Sequence, residues 1–149
     1  MTAPSIHANA LLVQGVGILI RGASKAGKRT LTVALIHEAQ ARGLSAILVG
    51  DDRIFLQAQN GQLIASGHPA IRGQLHVRDF GIVDMPSVAS APVQLVVDLV
   101  REKLASTAVS SRIILEGIGV ERIKFTERSP LPDIIMFILE KIRQKLSEM

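Results

Sequence analysis

Two short stretches of this chain carry residue types at spacings suited to phosphate chemistry: Gly22-Ala23-Ser24-Lys25-Ala26-Gly27-Lys28-Arg29-Thr30, and Asp51-Asp52. A glycine-rich turn that leaves a strand and opens a helix aims several backbone N–H groups at one anion, and the helix N-terminus adds partial positive charge. Gly22 and Gly27 permit the tight turn, and Lys28 is placed to reach the β- and γ-phosphates of a nucleotide. The usual pattern then has Ser or Thr, whose hydroxyl holds Mg²⁺; here that position is Arg29. Thr30 comes one residue late, and adjacent helical positions point about 100° apart. Of two neighbouring aspartates, one carboxylate can accept a hydroxyl proton while the other serves a metal ion. The competing readings are an ordinary strand-to-helix turn for the loop and a turn or helix cap for Asp51-Asp52.

These residues need a strand before the loop and another before the aspartates. Ala10 to Val13 and Gly17 to Ile20, parted by Gln14-Gly15, predict a hairpin whose second strand delivers the chain into the loop. From Thr30 to Arg42, Leu31, Ala34, Leu35 and Ala39 recur at helical spacing, with Gly43 as a C-terminal cap. Ser45 to Val49 then predicts a strand ending in Gly50-Asp51-Asp52-Arg53, which completes a βαβ unit. Asn60-Gly61, between Ile54 to Gln59 and Gln62 to Ser66, is the strongest short-range hairpin signal.

Gly67 to Gly73 reads as a loop, Leu75 to Asp84 alternates and then turns apolar, and Met85 to Pro92 predicts a flexible surface connection broken by prolines. Val93 to Val100 and Arg112 to Leu115 predict further strands, the latter running into Glu116-Gly117-Ile118-Gly119, while Arg101 to Ser111 fits no single element. A helix starting at Pro130 or Leu131 puts Ile135, Ile138, Ile142 and Leu146 on one face, which is expected to dock on the sheet.

A chain of 149 residues fits one core, and residues 1–149 are read as a single domain. The absence of cysteine excludes disulfides and thiolate metal sites. No apolar run is long enough to cross a membrane, and the first residues lack a basic segment followed by an apolar one. The expectation is a cytoplasmic protein with no membrane partner. The net charge of +4 suits an anionic ligand or an acidic partner. Nucleic acid is not expected, because Phe55, Phe80, Phe125 and Phe137 are the only aromatics and form no stacking platform in sequence.

His7 ahead of the first hairpin, the loop after a strand, Asp51-Asp52 after the next strand, and Leu75-His76-Val77-Arg78-Asp79-Phe80-Gly81-Ile82-Val83-Asp84 further on form an ordered set. Together they resemble the catalytic domain of the HPr serine kinase/phosphorylase family, in the short form without that family's separate N-terminal domain, over roughly residues 6 to 140. The resemblance implies an α/β, P-loop nucleotide-binding domain of the HPr kinase/phosphoenolpyruvate carboxykinase-like type, with a mixed sheet and flanking helices. It implies ATP on the phosphate loop with Mg²⁺ beside it, and transfer to a serine of the phosphocarrier HPr, reversible with inorganic phosphate. Lys28 would hold phosphate, Asp51 would take the serine proton, His7 would stand beside Asp51, and Asp52 would face the metal and nucleotide. Arg78, Gly81 and Asp84 fit the family signature, with Phe80 in its apolar position. A homo-oligomer, a hexamer in the family, and a role in regulating carbohydrate metabolism through the phosphotransferase system are likewise implied.

The chain departs from that pattern where the metal would sit. Arg29 replaces the hydroxyl ligand, and His76 stands where the signature has a metal-associated glutamate; Lys25 and Asp79 replace glycines. The family's downstream arginine- and glycine-rich loop has no match after Glu121. The leading expectation is a serine kinase/phosphorylase with weakened catalysis. The alternatives are a nucleotide- or phosphate-binding regulatory module on the same fold and, more distantly, a small-molecule kinase. Of the other polar residues, His37 and His68 read as surface histidines, His76 as a structural residue, and Arg78 equally as a salt-bridged arginine.

Overall fold

The computed structural model describes residues 4–23, 26–77, 79–101 and 109–148. Ser24, Lys25 and Arg78, and most of the stretch after Arg101 that matched no element, lie outside the described residues. Among the described residues there are eleven strands: β1 (Ala8–Val13), β2 (Val16–Gly22), β3 (Ala46–Gly50), β4 (Ile54–Gln59), β5 (Gln62–Gly67), β6 (Gln74–Val77), β7 (Gly81–Asp84), β8 (Ser90–Pro92), β9 (Leu95–Val100), β10 (Val109–Leu115) and β11 (Ile118–Thr126). Two α-helices accompany them, α1 (Lys28–Ala41) and α2 (Leu131–Ser147).

The main sheet runs β10-β11-β9-β2-β1-β3. Strand β2 pairs parallel with β9 and antiparallel with β1, which pairs antiparallel with β3. Strands β2 and β3 therefore point the same way with β1 between them, so the expected βαβ unit spans a strand rather than joining neighbours. This placement brings the carboxyl ends of β2, β3, β9 and β11 to one edge, where open α/β sheets bind ligands.

One face of the sheet is covered by the helices, through Leu31, Leu35 and Ala39 of α1 and Ile134, Ile135, Ile138, Leu139 and Ile142 of α2. Leu146 packs there only partly buried. Phe137 meets Phe125 of β11 edge-on at 5.7 Å, which helps seat α2 on the sheet. The opposite face is covered by a small sheet of order β4-β5-β8, with Leu56, Leu63, Ala65 and Ala91 against Leu19 and Val96.

One expectation needs correction. The Met85 to Pro92 stretch is not a loose surface connection: β8 pairs with β5, Ala91 is buried, and Leu48 bridges to Ser87. Proline is tolerated because β8 is an edge strand, where a missing N–H breaks no ladder. The stretch after Glu116-Gly117, for which the sequence predicted no element, is the long strand β11, which pairs with both β10 and β9. Within Gly67 to Gly73 the chain makes a 3₁₀ turn, Pro69–Ile71, which His68 caps from the surface, its ring nitrogen accepting from the Ala70 N–H.

Candidate functional site

The phosphate loop leaves β2 at Gly22 and enters α1 at Lys28. Gly27 caps the helix at φ +100°, a left-handed conformation that strains any side chain. A side chain at Gly22 would crowd Leu99 of β9 and Ala26, with contacts of 3.1–3.3 Å, so the loop is held close against the next strand. Lys28 is buried, and its Nζ donates to the carbonyl oxygens of Gly22 (2.9 Å) and Ala23 (3.2 Å), folding the loop around one cation. Thr30, two positions after Lys28, is exposed.

Asp51 and Asp52 follow β3 at the same edge. Asp51 is 4% exposed, and its Oδ1 lies 3.4 Å from Nε of Arg29. Its Oδ2 accepts the backbone N–H of His76 at 3.2 Å, with the His76 ring Nδ1 at 3.7 Å. Asp52 adopts a left-handed backbone, φ 68°, and its side chain turns toward solvent to meet His7 Nδ1 at 3.4 Å. His7 therefore stands beside Asp52, not beside Asp51 as the resemblance implied. Gly81 and Asp84 bound β7, the outer strand of the β6–β7 hairpin whose partner strand supplies His76. The hairpin's tip carries Asp79 at φ 68° and a largely exposed Phe80.

A buried polar bridge, unnoticed in the sequence, fixes the aspartates to the loop. The Asp52 N–H donates to Oδ1 of Asn9 (2.8 Å), Asn9 Nδ2 donates to Oγ1 of Thr32 (3.0 Å), and that hydroxyl donates to the carbonyl of Lys28 (2.7 Å). Asn9 stabilises the uncommon backbone of Asp52 and ties it to the first turn of α1. A polar residue inside the apolar run Ala8-Asn9-Ala10-Leu11 is the signal that pointed to it, since a buried amide needs partners.

Among the described residues the donors at this edge do not fit a resident Mg²⁺ ion. Asp51 is committed to Arg29 and to an N–H, Arg29 stands where a hydroxyl would ligate, and imidazole is a poor ligand for so hard an ion. Of the two aspartates, Asp52 is the one whose carboxylate faces solvent, and among the described residues no group of three or more His, Asp or Glu side chains could hold a metal ion.

Next to the loop lies a cleft of about 350 Å³ between Gly27, Thr30, Leu99, Arg128 and Leu131. A larger one, about 730 Å³, opens near Gln94, Ser111, Glu121 and Lys145, in a different part of the sheet. The smaller cleft is the one next to the phosphate loop, because Ala26, Gly27 and Thr30 line it.

Comparison with known proteins gives one consistent family. The model of the "HPr Serine kinase C-terminal domain" matches residues 1–109. An HPr kinase/phosphorylase of Mycoplasma mycoides is 32% identical over 114 residues, covering 72% of this chain and 34% of that protein. Another from Clostridium tetani is 36% identical over 88 residues, covering 58% of this chain and 27% of its own. The chain thus spans about a third of the length of the curated relatives it matches. The solved structure of the Hpr(Ser) kinase/phosphatase from Coxiella burnetii superposes with a TM-score of 0.77 at 31% identity, over 97% of this chain and 99% of that one.

Proposed function

The chain belongs to the HPr serine kinase C-terminal domain family, and from that premise we propose that it binds the phosphates of ATP on the 22–30 loop as a regulatory nucleotide-binding module, with transfer to serine weak or lost. The observation that carries this reading is Arg29 Nε at 3.4 Å from Asp51 Oδ1. Serine phosphorylation needs that carboxylate to receive a hydroxyl proton, yet both of its oxygens are engaged from within the protein. Binding needs only the loop amides and Lys28, which are kept. The cleft between Gly27, Leu99 and Leu131 has room beside the loop for a nucleoside, which favours ATP over inorganic phosphate alone. The partner would be an HPr-like phosphocarrier or a related protein, met in the cytoplasm by a homo-oligomer.

A second reading, an active serine kinase/phosphorylase, is favoured by Lys28, Asp51, Asp52 and His7 gathering at one edge of the sheet. In it Arg29 would have to swing off Asp51 when the serine approaches.

Purified protein given labelled ATP, Mg²⁺ or Mn²⁺ and HPr is expected to leave HPr unlabelled while binding ATP in equilibrium dialysis. Lys28→Ala should weaken that binding about 10- to 100-fold, the loss of hydrogen bonds to charged groups worth ~1.5–3 kcal/mol. Serine labelling that disappears in Asp51→Asn would establish the second reading instead. Absence of ATP binding would sink both.

A further inference from the structure

We propose that the Arg29 guanidinium is a built-in substitute for the metal ion, so that this loop takes the polyphosphate of a nucleoside triphosphate free of divalent metal. The inference rests on the nucleotide-binding reading above and adds to it the form of the ligand.

Two carboxylates at the mouth of a phosphate site repel the ligand unless a cation offsets them. Asp51 is buried, and a buried carboxylate needs a positive partner whether or not ligand is bound. Arg29 supplies it through Nε, at 3.4 Å from Oδ1. Guanidinium carries five N–H donors in a planar fork, and among the described residues the terminal nitrogens of Arg29 have no hydrogen-bond partner. One edge of the group thus neutralises Asp51 while the terminal N–H groups remain for phosphate oxygens. These are the two tasks of a metal ion there: to bridge protein carboxylate and phosphate, and to cancel their repulsion.

Lys28 is the second fixed cation. Its present acceptors are two neutral carbonyl oxygens, which are weaker partners than an ionised phosphate oxygen. A divalent cation entering beside Arg29 would meet a like charge and, of the aspartate pair, only the Asp52 carboxylate turned to solvent. Metal-free triphosphate carries more negative charge than its Mg²⁺ complex and suits this set of groups better. Arg29 is half exposed, so replacing it removes no packed apolar side chain, although it takes from Asp51 its positive partner.

The test is equilibrium dialysis of the full chain with ATP, in EDTA and in excess Mg²⁺. The wild type is expected to bind ATP in EDTA at least as tightly as with Mg²⁺. Arg29→Ser, which restores a hydroxyl at the position where the loop pattern has one, should weaken binding in EDTA by about tenfold or more and make it depend on Mg²⁺. Arg29→Lys, which keeps the charge without the fork, should fall between the two. Circular dichroism melts check that each variant is folded. Wild-type binding that vanishes in EDTA and returns with Mg²⁺ overturns this inference and leaves the nucleotide-binding reading standing. So does an Arg29→Ser variant with unchanged affinity in EDTA. Wild type that binds ATP under neither condition overturns both.

Discussion

Asp51 and Asp98 are both buried, and each has an arginine beside it, yet they are held in opposite ways. Asp98, on β9, takes both arms of the Arg21 guanidinium at 2.8 Å, and Arg122 approaches from β11 at 3.5 Å. The hydrogen bond to Asp98 holds Arg21 above the usual arginine value; burial opposes this and the attraction of the two charges adds to it. Asp51 has two long side-chain contacts, from Arg29 and His76, and one backbone N–H, and both of those side chains are about half exposed. Short forked bonds across neighbouring strands mark a carboxylate that belongs to the scaffold. Long contacts at the open end of the strands, with arginine donors left over, mark one held at the ligand edge rather than within the scaffold.

The largest test of that contrast is Asp98→Ala. It strands Arg21 and Arg122 without their shared anion, and breaking such a pair costs about 3 kcal/mol, the low end of the range because Arg21 is partly exposed. Urea denaturation should show the loss, while ATP affinity of the folded protein stays within about threefold. A loss under about 1 kcal/mol would mean that Asp98 is no more structural than a surface pair.

The same contrast explains what the sequence disclosed. The loop, the helix after it and the Asn60-Gly61 hairpin follow from neighbouring residues, so local patterns carry them: turn glycines, the 3.6 period and paired aspartates. Arg21 and Asp98 meet across 77 positions, and Asn9 and Thr32 across 23, which no local pattern encodes. Strand β11 was hidden because Glu121, Arg122 and Lys124 interrupt its apolar alternation. Glu121 and Arg122 are partnered from elsewhere, the first by α2 and the second by Asp98, so their charge does not prevent pairing in the sheet. His7 was assigned to the wrong member of the aspartate pair because the left-handed turn at Asp52, which sends that side chain outward, depends on Asn9.

Glu121 gives a smaller test from the scaffold side. Lys145 and Lys141 of α2 reach its carboxylate at 2.8 and 3.0 Å. Burial pushes its carboxyl up, but the hydrogen bonds from these lysines and their charges outweigh that and hold it at about 2, below the ordinary 4.5. A depressed value means that the fold favours the charged form. Its contribution is therefore complete above pH 4.5 and is lost as pH falls from there to about 2. Glu121→Gln should lower stability at pH 7 by ~1 kcal/mol or less, a partly exposed pair being screened, and should flatten the loss of stability in that acid window. Urea midpoints at pH 7, 4 and 3 read both effects; an unchanged acid slope would place Glu121 with the loosely held carboxylates.

The smallest effect on stability is expected at the site itself. Asp51→Asn keeps an oxygen to accept the His76 N–H, and Arg29, half exposed, can turn to water when its anion is removed. Urea denaturation should therefore register a change within ~0.5 kcal/mol, against about 3 kcal/mol at Asp98. Binding should respond more than stability does. Without the negative charge beside the loop, Arg29 can give all its donors to phosphate, and ATP affinity in EDTA should tighten by about threefold or more. If Asp51→Asn instead destabilises the protein as much as Asp98→Ala, the contact with Arg29 is a structural lock, and the distinction between the two aspartates fails. If stability holds and affinity rises, Asp51 is a charge that the fold tolerates only because Arg29 offsets it.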